Sequence, residues 1–303
     1  MSAAGALKTA AVFATMNRVA TAVACVRALA SQTRPPDLVI VADNVSTDGT
    51  TSALESMDGL PFPLIVHRMA ENRGNAGGVE EAMELAFARG ADSVWILDDD
   101  SIPQKDALRA LLSVDLLPSV VRHAMQIDPQ SGRLTWPMWV RFRNDWSLVG
   151  ELGNLAGRDW IKTRASWTGA MISREVREAV GPVRGELFIR GEDEEYPWRI
   201  TKAGFTFACV TTAILDHPGP QNLEMMRFFG KLLFFEKGLP DWKLHYKIRN
   251  MVWLKRRQSG GLKAILTALA YAIAAVRFDG PSRLALVGKA SLEGWRGKLG
   301  RIS

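Results

Sequence analysis

The sequence predicts an α/β fold, a mostly parallel central sheet with flanking helices, followed by a helical C-terminal region. Three observations lead there. Through about the first hundred residues, short apolar runs alternate with helix-like segments, and such βαβα alternation implies parallel strands covered on both faces. Polar clusters follow the first, second and fourth of those runs, at the carboxyl ends where open parallel sheets bind ligands. Past residue 220 the charge balance inverts, from 22 Lys and Arg against 27 Asp and Glu in residues 1–220 to 16 against 5 in residues 221–303. The expected division is an acidic domain for chemistry, residues 1–220, and a basic helical region, residues 221–303, that either anchors to something anionic (nucleic acid, a membrane surface or a phosphorylated carrier) or is a solvated helical face.

The elements read in order. Residues 10–15 are apolar and follow Lys8. They resemble the start of a signal peptide, but Asn17-Arg18 interrupts the run and no cleavage site follows. The segment reads as a first buried strand, and the protein as cytoplasmic. Asn17 is expected to cap a helix with the stripe Val19, Val23 and Val26, closed by Pro35-Pro36. Residues 38–42 form a second buried strand before a turn-rich stretch, and residues 64–67 a third. After the glycine-rich residues 72–78, a helix carries Val79, Met83 and Ala86 on one face, and residues 93–97 make the fourth strand. Residues 120–126 and 134–141 flank a turn at 128–132, which predicts an antiparallel hairpin. Residues 166–172 and 205–215 are later strands, with an acidic helix start at Glu192 between them. Beyond His217-Pro218-Gly219-Pro220 the pattern is helical and basic to the end. Its longest uncharged apolar run, residues 264–276, has 13 residues, where ~20 are needed to span a bilayer.

A chain of 303 residues, 47% hydrophobic and 23% charged, can bury a full core and is not predominantly disordered. Its two cysteines, Cys25 and Cys209, have no CxxC spacing and cannot frame disulfides, so a reducing compartment is expected.

Three consecutive aspartates, Asp98-Asp99-Asp100, end a buried strand. They repel one another unless a cation neutralises them, and carboxylates at a sheet's mouth suit a hard divalent metal that also holds a diphosphate. The plainer alternative is an acid cluster at the start of a helix opened by Ser101-Ile102-Pro103, although one cap does not require three acids. Gly74-Asn75-Ala76-Gly77-Gly78 would let backbone amides approach phosphate or ribose. It lacks the Lys-Ser/Thr of a P-loop and the dinucleotide spacing, and also reads as a flexible turn before a helix. Acids in the first turn of a helix are favoured there, which accounts for Glu194 and Glu195. A cleft carboxylate in Glu192-Asp193 would instead serve as general base toward an alcohol. His217, just past Asp216, sits where a third metal ligand would come from, although a lone histidine more often has a plain structural role.

Taken together, these motifs resemble a known family. Thr15-Met16-Asn17-Arg18, Ala42-Asp43-Asn44-Val45-Ser46-Thr47-Asp48-Gly49-Thr50, Asn72-Arg73-Gly74, Asp98-Asp99-Asp100, Trp167-Thr168-Gly169-Ala170, Glu192-Asp193 and His217 occur in the order seen in family 2 inverting glycosyltransferases of the GT-A fold. The resemblance covers residues 8–220. Within the family, residues 188–195 and 72–78 look most like bacterial galactofuranosyltransferases that extend lipid-linked glycans. Tyr246-Lys247-Ile248-Arg249-Asn250 is similar to a motif those enzymes share with rhamnosyltransferases.

The resemblance implies roles for individual residues. Thr15, Arg18, Asp43, Asn72, Arg73 and Gly74 would hold the nucleotide sugar. Asp98 and Asp100 would bind Mn2+ or Mg2+ with His217, and Asp99 would lie by the donor. Asp193 would deprotonate the acceptor hydroxyl, Glu192 would orient the acceptor, and Trp167 with Gly169 would form the acceptor platform. Gly191 stands where some relatives carry an aromatic residue, which puts acceptor recognition in question. The implied reaction moves galactofuranose from UDP-galactofuranose onto a polyprenyl-diphosphate-linked glycan in cell-envelope polysaccharide synthesis. The alternatives are rhamnosyl transfer from dTDP-rhamnose and, more distantly, a sugar-phosphate nucleotidyltransferase. The basic region would hold the enzyme peripherally on the inner face of the cell membrane, or merely pack onto the catalytic domain or a second subunit. A nucleic-acid-binding protein would account for the pI of about 9.5, but not for acids clustered at strand ends.

Overall fold

In the computed structural model, residues 7–155 and 157–302 are described. The chain divides into two compact units, one of Met1–Arg184 with Tyr196–Gly219 and one of Gly185–Glu195 with Pro220–Ser303.

The first unit begins with the expected alternation. Strand β1 (Thr9–Thr15), helix α1 (Val19–Ala30), strand β2 (Leu38–Asp43), helix α2 (Thr50–Glu55), strand β3 (Leu64–Arg68), helix α3 (Gly74–Ala88) and strand β4 (Ser93–Ile96) follow one another. The strands pair in parallel with β1 and β2 central and β4 beside β1. Every residue of β1 is buried, as a strand covered on both faces requires. Phe13, Leu29, Val41, Leu54 and Trp95 belong to one core. Register places Thr15 opposite Asp43 and Asp43 opposite Arg68, so polar residues line the carboxyl edge.

Strand β5 (Ile102–Pro103), helix α4 (Ala107–Ser113), and strands β6 (Val120–Ile127), β7 (Met138–Phe142), β8 (Asp145–Val149) and β9 (Trp160–Thr163) come next. After them come β10 (Met171–Ser173), helices α5 (Arg174–Val180) and α6 (Glu192–Lys202), and strand β11 (Thr206–Asp216). Strand β10 closes the first sheet antiparallel to β4. Strand β11 organises the second sheet, pairing with β5, β6 and β9. Because Asp216 pairs with Ile102, the residue after β11 emerges beside the end of β4.

Several local expectations are corrected. Asn17 does not cap α1. It adopts φ 53, and its Oδ1 accepts from the Thr47 amide at 2.7 Å. The glycine-rich stretch is the first turns of α3 itself, where a Cβ at Gly78 would stand 2.7 Å from Ala14 Cβ. Gly78 lets the helix approach the sheet closely. Ser101-Ile102-Pro103 opens a strand, not a helix. The turn at 128–132 forms, with an Ile127–Leu134 bridge, but β6 runs on parallel to β11 and the antiparallel hairpin is β7–β8. Of residues 166–172, only Met171 and Ile172 are in a strand.

The second unit opens its C-terminal part with a hairpin, not a helix: strands β12 (Leu223–Phe228) and β13 (Lys231–Glu236) turn at Phe229 and Gly230, both at positive φ. Helices α7 (Asp241–Ser259), α8 (Gly261–Asp279) and α9 (Leu284–Arg296) follow. A Cβ at Gly294 would overlap the Arg249 carbonyl, so glycine sets the close crossing of α9 on α7. Helix α8 has 19 residues and is long and apolar enough to cross a membrane by length and composition. The 13-residue run understated it because Lys263 and Arg277 do not interrupt the helix.

In β6, His123 is buried, with Nδ1 donating to the Ala124 carbonyl and Nε2 accepting from Thr163 Oγ1 at 2.8 Å. Burial lowers its pKa from 6.5 to about 4, so the neutral ring is folded into the core. A depressed folded pKa contributes stability above pH 6.5 that is lost as pH falls toward 4, about 3 kcal/mol in all. Urea midpoints measured across that window should therefore fall less steeply in His123→Gln than in the parent.

Candidate active site

In the first unit the acidic triplet leaves β4 at the carboxyl edge of the sheet. Its aspartates have different partners. Asp98 accepts from Thr168 Oγ1 at 2.6 Å, and its amide and carbonyl are held by Ser101. Asp99 is buried, accepting from Thr15 Oγ1 at 2.8 Å and pairing with Arg18 Nε at 3.2 Å. Asp100 pairs with Arg18 Nη2 at 2.7 Å. His217 Nε2 lies 3.4 Å from Asp98 Oδ2 and 3.5 Å from Asp100 Oδ1.

These contacts separate the protonation of the acids. Burial pushes Asp99 to about 6, against the opposing charge of Arg18 and the Thr15 hydrogen bond. Burial also acts to raise Asp98, but the hydrogen bond and charge of His217, with Thr168, hold it below the usual carboxylate range. Desolvation would lower His217, yet Asp98 and Asp100 raise it. One ligand atom each from Asp98, Asp100 and His217 lie within 4.8 Å of one another. Two carboxylates and one imidazole make a donor set that fits a divalent cation such as Mn2+.

The residues expected around the nucleotide gather along the same edge but have protein partners of their own. Asp43 is fully buried. Its oxygens accept from the Ser46 amide at 3.1 Å, from the Ser46 and Thr51 hydroxyls, and face Arg68 at 3.7 Å. It shapes the turn after β2. Asn72 accepts from the Gly74 amide at 2.8 Å, and Arg73 reaches Glu81 at 3.1 Å. Gly74 takes φ 68 at the start of α3, and Asn44 bridges to it, donating to its carbonyl and accepting from the Arg73 amide. Trp167 is 6% exposed and packs edge-on to Tyr196. Its indole N–H is buried without an acceptor among the described residues. Gly169, at φ 82, donates to Ile96 and accepts from Ala124 and the Trp95 indole. Its backbone joins the two sheets, and a side chain would meet Leu215.

Glu192 and Asp193 belong to the second unit, in the first turn of α6. Glu192 is buried, whereas Asp193 keeps an exposed surface with Oδ1 accepting from the Gly191 amide at 2.9 Å. The protein around the Asp193 carboxyl desolvates it enough to push its pKa above the ordinary value, and the Glu194 charge adds to this. The Gly191 amide, Arg190 and Lys247 oppose it. Arg190 forms a two-point pair with Glu236 at 2.6 and 3.0 Å, and Lys247 reaches the same carboxylate at 2.9 Å. Sequence reasoning assigned no role to Thr168, Ser101, Asn44 or Asn250. Their polar contacts come from turns and helix packing that spacing does not reveal, although all four lie inside segments already singled out.

A family model described as Glycosyl transferase family 2 matches residues 11–181. The galactofuranosyltransferase GlfT1 of Mycolicibacterium smegmatis is 33% identical over 202 residues, 63% of this chain and 64% of that protein. GlfT1 of Mycobacterium tuberculosis is 31% identical over 197 residues, 63% of each. The chain thus spans a little under two thirds of the length of these relatives. Among solved structures, the mannosyltransferase PcManGT from Pyrobaculum calidifontis in complex with GDP-Man and Mn2+ is similar with a TM-score of 0.55 at 16% identity, over 96% of this chain and 88% of that one. S. aureus TarS 1-349 in complex with UDP-GlcNAc gives 0.55 at 11% identity, over 95% and 81%. At such identities the likeness concerns the fold alone.

Asp100→Asn and His217→Ala should each weaken Mn2+ binding by at least about ten- to a hundredfold in a calorimetric titration, because loss of an outer-shell partner alone costs that much. Unchanged affinity in both would place the cation elsewhere.

Proposed function

The chain belongs to glycosyl transferase family 2, and from that premise we propose that it transfers a sugar from a nucleoside-diphosphate donor to an acceptor hydroxyl with inversion, as is typical of the family. Its fold is the GT-A fold. The observation that carries the reading is the Asp98, Asp100 and His217 cluster at the carboxyl edge of the parallel sheet. Likeness to GlfT1 supports UDP-galactofuranose as donor and a lipid-linked glycan of the cell envelope as acceptor.

In the proposed reaction the acceptor oxygen bonds to the anomeric carbon as the bond from that carbon to the diphosphate oxygen breaks. The acceptor's proton passes to the Asp193 carboxylate, and the bonding electrons leave with the nucleoside diphosphate. Asp98, Asp100 and His217 would hold a divalent cation, which when bound neutralises charge on the leaving diphosphate. Arg18, on Asp99 and Asp100, adds positive charge at that edge. The buried Glu192 orients the acceptor.

Nucleoside diphosphate release measured with UDP-galactofuranose, dTDP-rhamnose and UDP-hexopyranoses tests the reading, UDP-galactofuranose being the expected donor. Release of pyrophosphate from a nucleoside triphosphate instead would overturn it. Asp193→Asn should lower turnover by about 10²–10⁴-fold while UDP affinity stays within a few-fold. The base works ionised and its pKa is raised, so parental turnover should fall with decreasing pH at a midpoint above the ordinary aspartate range.

We also read the second unit as a membrane-surface anchor. Leu262, Ile265, Leu269, Ile273 and Val276 are each 40–70% exposed and recur every three or four residues, one stripe along α8. Its opposite face, Ala264, Ala270, Tyr271, Ala274 and Ala275, is buried, which favours a helix lying in the interface over one surrounded by lipid. The Lys255-Arg256-Arg257 cluster is partly engaged by the protein: Lys255 pairs with Glu194 at 3.0 Å, and Arg256 and Arg257 lie over Trp295 and Trp253. The apolar stripe is therefore the cleaner target. Two half-exposed side chains moved out of water contribute about 0.7–1.5 kcal/mol each, so the double substitution Leu269→Glu, Ile273→Glu should cut flotation with anionic vesicles by about tenfold or more without lowering Tm. Equal flotation of parent and variant would remove the stripe from any anchoring role.

A further inference from the structure

We propose that Asn250 is a positioning residue for Asp193, its buried amide clamping the left-handed turn from which the Asp193-bearing helix starts. The inference rests on the reading of Asp193 as the base and deepens it.

Asn250 is 0% exposed in α7. Its Nδ2, with two hydrogens, lies within hydrogen-bond distance of three carbonyls of one loop, Leu187 at 2.9 Å, Ile189 at 3.1 Å and Arg190 at 2.6 Å, one hydrogen being shared between two of them. The orientation of the amide is not arbitrary. Arg249 Nε donates to Asn250 Oδ1 at 2.9 Å, and a guanidinium has no acceptor, so the oxygen must face it and the NH2 must face the loop. Arg249 is itself buried, donates to the Gly300 carbonyl at 2.7 Å, and stands 4.7 Å over the Tyr246 ring. That ring stacks on Phe188 with centroids 4.9 Å apart.

The loop so held is conformationally unusual. Phe188 and Arg190 both take φ 66 and Gly191 takes φ 123. Left-handed conformations are unfavourable for residues with a Cβ and persist only where surroundings enforce them. Here three carbonyls converge on one amide, the partner that enforces the turn. A Cβ at Gly191 would lie 2.9 Å from Asn250 Cβ, so glycine at this position follows from the closeness of Asn250. The next link is direct, since the Gly191 amide donates to Asp193 Oδ1. The path runs from Asn250 through the carbonyls of 187–190 and the Gly191 N–H to the carboxylate of Asp193.

Releasing the loop would displace Asp193 and remove charges set around it. Glu194 on the same helix, Arg190 on the loop, Lys247 on α7 and Tyr271 on α8 all interact with its carboxyl. Loss of the Gly191 hydrogen bond and movement of Arg190 both favour the protonated acid. The acid limb of turnover should then move to higher pH.

Asn250→Asp keeps the shape but turns an oxygen toward three carbonyls. In the full chain it should lower kcat by about ten- to a hundredfold, the cost of misplacing a reacting group by about 1 Å. Donor KM should stay within about twofold, and the acid limb should shift upward. Gly191→Ala disturbs the same contact from the other side with Asn250 intact, so it carries the test if Asn250→Asp proves unfolded by circular dichroism. In an Asp193→Asn background neither substitution should reduce the residual turnover further, because each acts through Asp193. An equal loss in both backgrounds, or a parental kcat and pH profile for Asn250→Asp, overturns the proposal. Parental turnover in Asp193→Asn alone would instead remove the base assignment on which it rests.

Discussion

Negative charge concentrated at the end of one buried strand is the constraint around which the first unit is organised. Asp98, Asp99 and Asp100 leave β4 together, and no single neighbour satisfies them. Arg18 comes from the segment after β1, Thr15 from the end of β1, Thr168 from the link into β10, and His217 from just past β11. Each compensating group depends on a different strand register. The pairing of Asp216 with Ile102 delivers His217, and the parallel register of β1 on β4 brings Thr15 to Asp99. Repulsion among carboxylates that would destabilise an ordinary strand end is here held in check by these side chains, and Asp98, Asp100 and His217 form a group that could hold a metal ion.

Glycine serves the same end by permitting close approach. Gly78 lets α3 lie against β1, and Gly169 lets the segment after Trp167 cross between the two sheets while occupying both of its backbone groups. In the second unit, Gly294 sets the α7–α9 crossing, and Gly191 leaves room for Asn250. In all four cases a neighbouring atom stands where a Cβ would be, so substitution would overlap it or force it to move.

The second unit also shows how polar groups are buried without loss. Arg249 and Asn250 are large, polar and fully enclosed, which is unfavourable unless their hydrogen bonds are made. They make them to each other and to the backbone carbonyls of Leu187, Ile189, Arg190 and Gly300. The segment Gly185–Glu195, which reads as part of the N-terminal domain, accordingly packs with the C-terminal helices.

The four parallel strands and the acid triplet were legible in the sequence because they depend on local patterns: continuous apolar runs for strands buried on both faces, and charge placed where a strand must end. His217 was legible only as a residue following a strand. Its meeting with Asp98 and Asp100 required the β5–β11 pairing, made across more than a hundred residues. The β7–β8 and β12–β13 hairpins were missed because half-buried strands of five or six residues carry a weak periodic signal, and the basic charge of the tail masked the second one. The glycine-rich stretch looked like a loop because glycine is a poor helix former, whereas tertiary packing against β1 and β2 made it a helix. Asn250 stood inside a recognised motif without a role, since what an amide does is decided by the carbonyls that folding brings to it. Local chemistry is written along the chain; which groups meet is determined by strand register and helix packing, and these are long-range choices that only the folded core makes.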